Sequence, residues 1–123
     1  MERKKILLVD DSATSLMMEK MILKAEPFEL VVARDGQQAV DVAAAEHPDL
    51  ILLDVVMPGM DGFEACRRLR ASDATRTTPI IMVTTRGEEK QMEIGFESGC
   101  TDYVTKPING LELLAKVRNC LAN

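Results

Sequence analysis

Three carboxylates close two apolar runs in this chain. Asp10 and Asp11 follow Ile6-Leu7-Leu8-Val9, and Asp54 follows Leu50-Ile51-Leu52-Leu53. A run of four branched residues ending in an acid reads as a buried strand that delivers its charge at the carboxyl edge of a sheet. Where such edges meet, each pair of like charges at ~4 Å and an effective dielectric of ~20 repels by about 4 kcal/mol. A fold keeps such a cluster only if a cation or a lysine neutralises it. Thr84 and Lys106 add a hydroxyl and an ammonium at the ends of two later strand-like segments. Clustered carboxylates offering only oxygen ligands suit Mg2+. A carboxylate beside Mg2+ can also act as a nucleophile and form an acyl phosphate. Phosphoryl transfer asks mainly for in-line positioning and for cations on the equatorial oxygens. Mg2+ and Lys106 would provide the cations, and Thr84 could donate to a third oxygen.

Strand-like and helix-like segments alternate along the chain, and they must bring these five residues together. Residues 5–10 read as a first strand. Ser12 can cap a helix over 13–25, in which Leu16, Met17, Met21 and Ala25 recur near helical spacing. A second strand over Glu29–Ala33 leads through Asp35-Gly36 into a second helix. That helix ends before Pro48, because His47 precedes a proline and is biased out of helix. A third strand covers 49–54, Met57-Pro58-Gly59-Met60 forms a loop, and Asp61 can cap a third helix over 62–71. A fourth strand covers 79–84, and Arg86-Gly87 leads to a fourth helix that ends at Gly99. Tyr103 and Val104 lie in a short fifth strand, and Lys106-Pro107 precedes a fifth helix over 108–121.

This alternation predicts an α/β fold, a parallel sheet covered by helices on both faces, with right-handed crossovers. Five strands fit the flavodoxin-like (βα)5 sandwich with strand order 2-1-3-4-5. In that order the first and third strands are neighbours. Asp10, Asp11 and Asp54 then meet at the topological switch point, where such sheets bind ligands, and Thr84 and Lys106 continue the row.

The 123 residues suffice for one domain with one good core, and no repeat or linker divides them. Aromatic residues are only 3% of the chain, so aliphatic side chains must fill that core. A net charge of -5 argues against direct nucleic-acid binding, which needs a basic face. No apolar stretch approaches the ~20 residues of a membrane span, and the start does not read as a signal peptide. Cys66, Cys100 and Cys120 are odd in number and lack metal-ligand spacing, so they read as reduced thiols of a cytoplasmic protein.

Taken together, Val9-Asp10-Asp11-Ser12, Leu52-Leu53-Asp54, Met57-Pro58-Gly59-Met60-Asp61-Gly62, Val83-Thr84, Gly99, Tyr103 and Lys106-Pro107 resemble a CheY-like response-regulator receiver domain of two-component signalling. They span nearly the whole chain, in family order and spacing. The resemblance implies that Asp54 is the phosphoacceptor. It implies that Asp11, Asp54 and the backbone carbonyl of Val56 bind Mg2+ directly, with Asp10 acting largely through a metal-bound water. Lys106 would pair with Asp54 and then with the phosphoryl group, across a cis Lys106-Pro107 bond. Thr84 and Tyr103 would be the switch pair: Thr84 moves toward the phosphoryl oxygen and the Tyr103 ring follows. The donor would be a sensor histidine kinase, a phosphotransfer protein or a small acyl phosphate. The signal would leave through the face of helix 4, strand 5 and helix 5, to a downstream protein or a fused output domain. Whether the chain stands alone or is a receiver cut from a longer protein stays open.

Two rival readings exist, the first sharing the row of Asp, Thr and Lys and the second the topology. A Mg2+-dependent phosphatase with an aspartate nucleophile needs an acid two residues after that nucleophile, and here the residue is Val56. A flavin-binding module needs a hydroxyl- or glycine-rich loop after the first strand, where this chain has two aspartates. The chain is thus expected to modify itself rather than turn over substrates. Val56 and Arg86 flank the site and would tune the access of water.

The remaining residues have plainer readings. Met17, Met21 and Met82 are expected in the core, although eight methionines suggest an adaptable surface. His47 is expected as a solvated residue closing helix 2, and Arg67, Arg68 and Arg70 as the solvated face of helix 3. In helix 4, Met92 and Phe96 share a face, whereas Ile94 points elsewhere and is expected to be exposed and to contribute to docking.

Overall fold

The computed structural model describes residues 3–85 and 89–122. Five strands alternate with five helices: β1 (Lys5–Val9), α1 (Ala13–Leu23), β2 (Glu29–Ala33), α2 (Gly36–Glu46), β3 (Leu50–Asp54), α3 (Gly62–Ala71), β4 (Ile80–Thr85), α4 (Met92–Ser98), β5 (Asp102–Lys106) and α5 (Gly110–Leu121). A short 3-10 turn over Glu89–Gln91 precedes α4. The strands form one parallel sheet in the order β2-β1-β3-β4-β5, the order expected from the sequence. Helix 3 and strand 2 carry the expected bounds, and the other elements differ by one or two residues at their ends. Arg86 and Gly87, read as the lead into helix 4, lie outside the described residues.

Local chemistry explains where the helices begin and stop. Ser12, Asp35, Asp61 and Asn109 each accept, through a side-chain oxygen, the amide three residues on, and so open α1, α2, α3 and α5. Gly99 closes α4 with φ 106°, and His47 closes α2 in the same left-handed region at φ 50°, consistent with its expected place as an exposed end residue.

Both sheet faces are covered. On one side Leu7, Val9, Ile51, Leu53, Ile80 and Met82 pack with residues of α2, α3 and α4. On the other, Ile6, Leu8, Leu50, Leu52, Ile81 and Val83 pack with α1 and α5. Near-continuous apolar strands are what burial on both faces requires. Alternation along each strand then decides which side the terminal charges join. Asp10, Asp54 and Lys106 continue the stripes of Leu8, Leu52 and Val104, and so project toward α1 and α5.

Two expectations about side chains need correction. Met82 is buried, but Met17 and Met21 are 62% and 69% exposed. Helix 1 carries apolar residues nearly all round, so periodicity could not select a face. The buried stripe is Leu16, Glu19 and Leu23, and it includes a glutamate. The second correction concerns Arg70. Arg67 and Arg68 do lie on the exposed face, both paired with Glu64. Arg70 instead turns inward: its guanidinium donates to the carbonyls of Gly99 (2.8 Å), Thr75 (3.0 Å) and Thr78 (2.6 Å). It thereby ties the end of α3 to the turn that closes α4.

The start of α3 abuts the end of β3. The Gly62 amide donates to the Val55 carbonyl at 2.8 Å. A Cβ at Gly62 would lie 2.3 Å from the Asp54 carbonyl oxygen and 2.7 Å from Val55 Cα. Both are backbone atoms, so neither can yield cheaply. Gly62→Ala is therefore expected to lower stability by about 2–3 kcal/mol, an overpacking penalty. Urea unfolding checks this, and an unchanged midpoint would refute it.

Candidate functional site

Register brings the acids together. Val9 pairs with Leu53, so Asp10 and Asp54 emerge side by side, and Thr85 pairs with Lys106 two strands away. One carboxylate oxygen from each of Asp10, Asp11 and Asp54 lies within 4.8 Å of the others. Opposite ligands of a small octahedral cation with bonds of ~2.1 Å stand ~4.2 Å apart, so the spacing and the hard oxygen donors fit such an ion. Asp10 is fully buried; its Oδ1 accepts the Ser12 amide at 2.8 Å, and its Oδ2 faces Lys106 Nζ at 3.3 Å. Lys106 Nζ also lies 3.6 Å from Asp54 Oδ1. The Lys106-Pro107 bond is cis, as the resemblance implied.

The electrostatics match this crowding. Burial, and next the charge of Asp10, raise the Asp54 pKa to about 6, against the opposing pull of Lys106 and of a hydrogen bond from the Val56 backbone. At pH 7 Asp54 is still mostly ionised and so available as a nucleophile. Burial disfavours the Lys106 ammonium, but Asp54 and Asp10 outweigh it and hold its pKa above the ordinary value. A single lysine thus serves two buried carboxylates.

The other expected residues are placed as follows. Thr84 is buried at the end of β4, and its Oγ1 has no hydrogen-bond partner among the described residues. The Tyr103 ring packs edge-on against Phe96, with centroids 6.3 Å apart, and Lys116 Nζ sits 5.1 Å from its centre. Thr84 and Tyr103 continue the stripes of the α3/α4 side on adjacent strands. The Val56 side chain is exposed, and so are those of Ile94 and Phe96, whereas Met92 is buried. Arg86 lies outside the described residues.

Glu19 was missed in the sequence. It is 1% exposed, and its Oε1 has no partner among the described residues. Burial, and then the charges of Asp10 and Asp54, push its carboxyl up to about 8 against the pull of Lys106. A fourth acid therefore stands behind the cluster, protonated for the most part at neutral pH. The signal for it was present: positions 16, 19 and 23 repeat at three and four residues, the spacing of a buried stripe. Three methionines on other faces of the same helix obscured it.

The chain matches the family model described as response regulator receiver domain over residues 6–118. The response regulator PleD of Caulobacter vibrioides is 44% identical over 118 residues, which are 94% of this chain and 25% of PleD. The chain spans a quarter to a half of the length of the curated relatives it matches. Among solved structures, the chemotaxis protein CheY4 of Vibrio cholerae superposes with a TM-score of 0.91 at 33% identity, covering 98% of this chain and 100% of that one. The receiver domain of the sensor histidine kinase PA1611 of Pseudomonas aeruginosa superposes with a TM-score of 0.91 at 30% identity over 99% and 100% of the two chains, and it holds a magnesium ion in its active-site cleft. With fold, acidic cluster and resemblance in agreement over nearly its whole length, this chain belongs to the response regulator receiver domains, the phosphorylation-activated switches of two-component signalling.

Proposed function

We propose that Asp54 is the phosphoacceptor and that Asp10, Asp11, Lys106 and Thr84 serve its chemistry. One observation carries the reading: three carboxylates from two neighbouring strands converge within 4.8 Å, and the lysine of a third strand lies against two of them. A sensor histidine kinase or a histidine phosphotransfer protein is the natural donor. An Asp54 oxygen attacks phosphorus, the P–N bond to the donor imidazole breaks, and its electron pair stays on the ring nitrogen. Asp11, Asp54 and the Val56 carbonyl would hold Mg2+, with Asp10 behind them, and the ion would supply positive charge to the transferring group. Lys106 supplies the second positive charge. The unpartnered Thr84 hydroxyl donates to a phosphoryl oxygen. Its movement draws the Tyr103 ring away from Phe96 and so alters the face of α4, β5 and α5, which controls a downstream protein or a fused output domain.

The same reading makes the chain one receiver unit that assists its own phosphorylation and dephosphorylation and turns over no separate substrate. Val56 offers no acid for a substrate's leaving oxygen. The three free cysteines suit the reducing cytoplasm. No described helix is long and apolar enough to cross a membrane, and the partners are proteins rather than membranes or nucleic acid.

With Mg2+ and a small acyl phosphate, or a beryllofluoride mimic, the wild-type chain should take up one group per molecule, recovered on Asp54 by peptide mapping. Asp54→Asn should take up none. Retention of the same stoichiometry in Asp54→Asn would overturn the assignment. Release of phosphate from added esters would favour the phosphatase reading instead.

A further inference from the structure

Asp10 and Asp54 are held by Lys106 and by backbone amides. Asp11 is held differently: its exposed carboxylate makes no hydrogen bond or ion pair among the described residues, so the backbone of the turn between β1 and α1 must place it. Two side chains fix that backbone. From within, Asp10 Oδ1 accepts the Ser12 amide at 2.8 Å. From outside, Arg34 Nη2 donates to the Asp11 carbonyl at 2.9 Å. Arg34 follows β2, the strand beside β1. Its own amide donates to Gln38 Oε1 at 2.9 Å, and the neighbouring Ala33 carbonyl accepts the Asp10 amide at 3.2 Å. Among the described residues, Arg34 is the one side chain from another element that grips the backbone of this turn.

We propose that Arg34 is a positioning residue for Asp11: its guanidinium clamps the Asp11 carbonyl and so holds the third carboxylate in register with Asp10 and Asp54 for a divalent cation. The inference rests on the metal reading given above. It has a built-in test of sign. By charge alone, a guanidinium beside a cation site repels the cation, and removing it should tighten binding. By positioning, removing it should loosen the cluster and weaken binding.

The experiment is a calorimetric titration of the full chain with MgCl2, beside metal-free hydrogen exchange of the Ser12 amide. Arg34→Ala should weaken Mg2+ binding about threefold to tenfold and speed Ser12 exchange by a similar factor, with the thermal midpoint nearly unchanged. Arg34→Lys, which keeps a donor of similar reach, should restore binding to within about twofold. Unchanged or tighter Mg2+ binding in Arg34→Ala overturns the proposal, and so does unchanged Ser12 exchange. Failure of the wild-type chain to bind Mg2+ strikes the metal reading instead, and the metal-free exchange measurement still decides whether Arg34 holds the turn.

Discussion

Glu19→Leu is expected to stabilise the metal-free protein by about 3 kcal/mol at pH 8, or a rise in thermal midpoint on the order of 10 °C. A buried carboxyl with an unpartnered oxygen costs ~1–3 kcal/mol even when neutral, and leucine fills a similar volume among Leu16, Leu23 and the β1 stripe. The larger part depends on pH. The Glu19 pKa rises from 4.5 to about 8 on folding, through burial first and then the charges of Asp10 and Asp54. The folded state therefore binds the proton more tightly. That contribution is fully present below pH 4.5 and is lost as pH rises toward 8. Wild-type stability should fall across this range, and the Glu19→Leu curve should be flatter by about 2 kcal/mol. Asp54, raised from 3.8 to about 6, contributes a similar fall at lower pH in both proteins. Urea unfolding at pH 5 and pH 8 separates the two slopes. A Glu19→Leu protein less stable than wild type at pH 8 would show that Glu19 has a partner and refute this account.

Lys106→Met should cost about 3 kcal/mol in metal-free protein at pH 8, because it leaves two buried carboxylates without their shared cation. Two conditions should shrink the loss. At pH 5 the carboxyl of Asp54, already raised in wild type and raised further without Lys106, takes up a proton. At saturating Mg2+ the metal neutralises the same charges, and binding to the folded state alone adds stability. Lysine and metal are thus interchangeable for folding. On the reading proposed above they differ in switching, where Lys106 pairs with the phosphoryl group. An equal loss with and without Mg2+ would show that Lys106 acts by packing its alkyl stem rather than by charge.

The row of site residues was legible because each member sits at the carboxyl end of an apolar run. Strand order then follows from the alternation of strands and helices, and the order places the ends side by side. Helix caps were legible for the same kind of reason: Ser12 and Asp61 bond within three residues of themselves. What escaped depends on contacts between distant segments. Arg70 reads as a surface cation until the carbonyls of Thr75, Thr78 and Gly99 are seen around it. Met17 and Met21 read as core because an all-round apolar helix does not declare its buried face. Glu19 escaped for the complementary reason, since a charge on that face is normally excluded. Arg34 lies far from Asp11 in sequence, and only the pairing of β1 with β2 makes them neighbours.

Helix 4 is held unequally at its two ends. It has seven residues and, among the described residues, no side chain caps its first turn, and it enters from the carboxyl edge of the sheet, the edge that carries Thr84. At its far end Gly99 closes it and Arg70 grips the Gly99 carbonyl. A short helix clamped more firmly at its last turn than at its first moves like a lever on a fulcrum. A displacement at the Thr84 edge would swing it about Gly99 rather than slide it, so the largest travel falls on the first turn and the smallest on the last. Amide exchange along α4 should grade the same way, fastest near Met92 and slowest near Ser98.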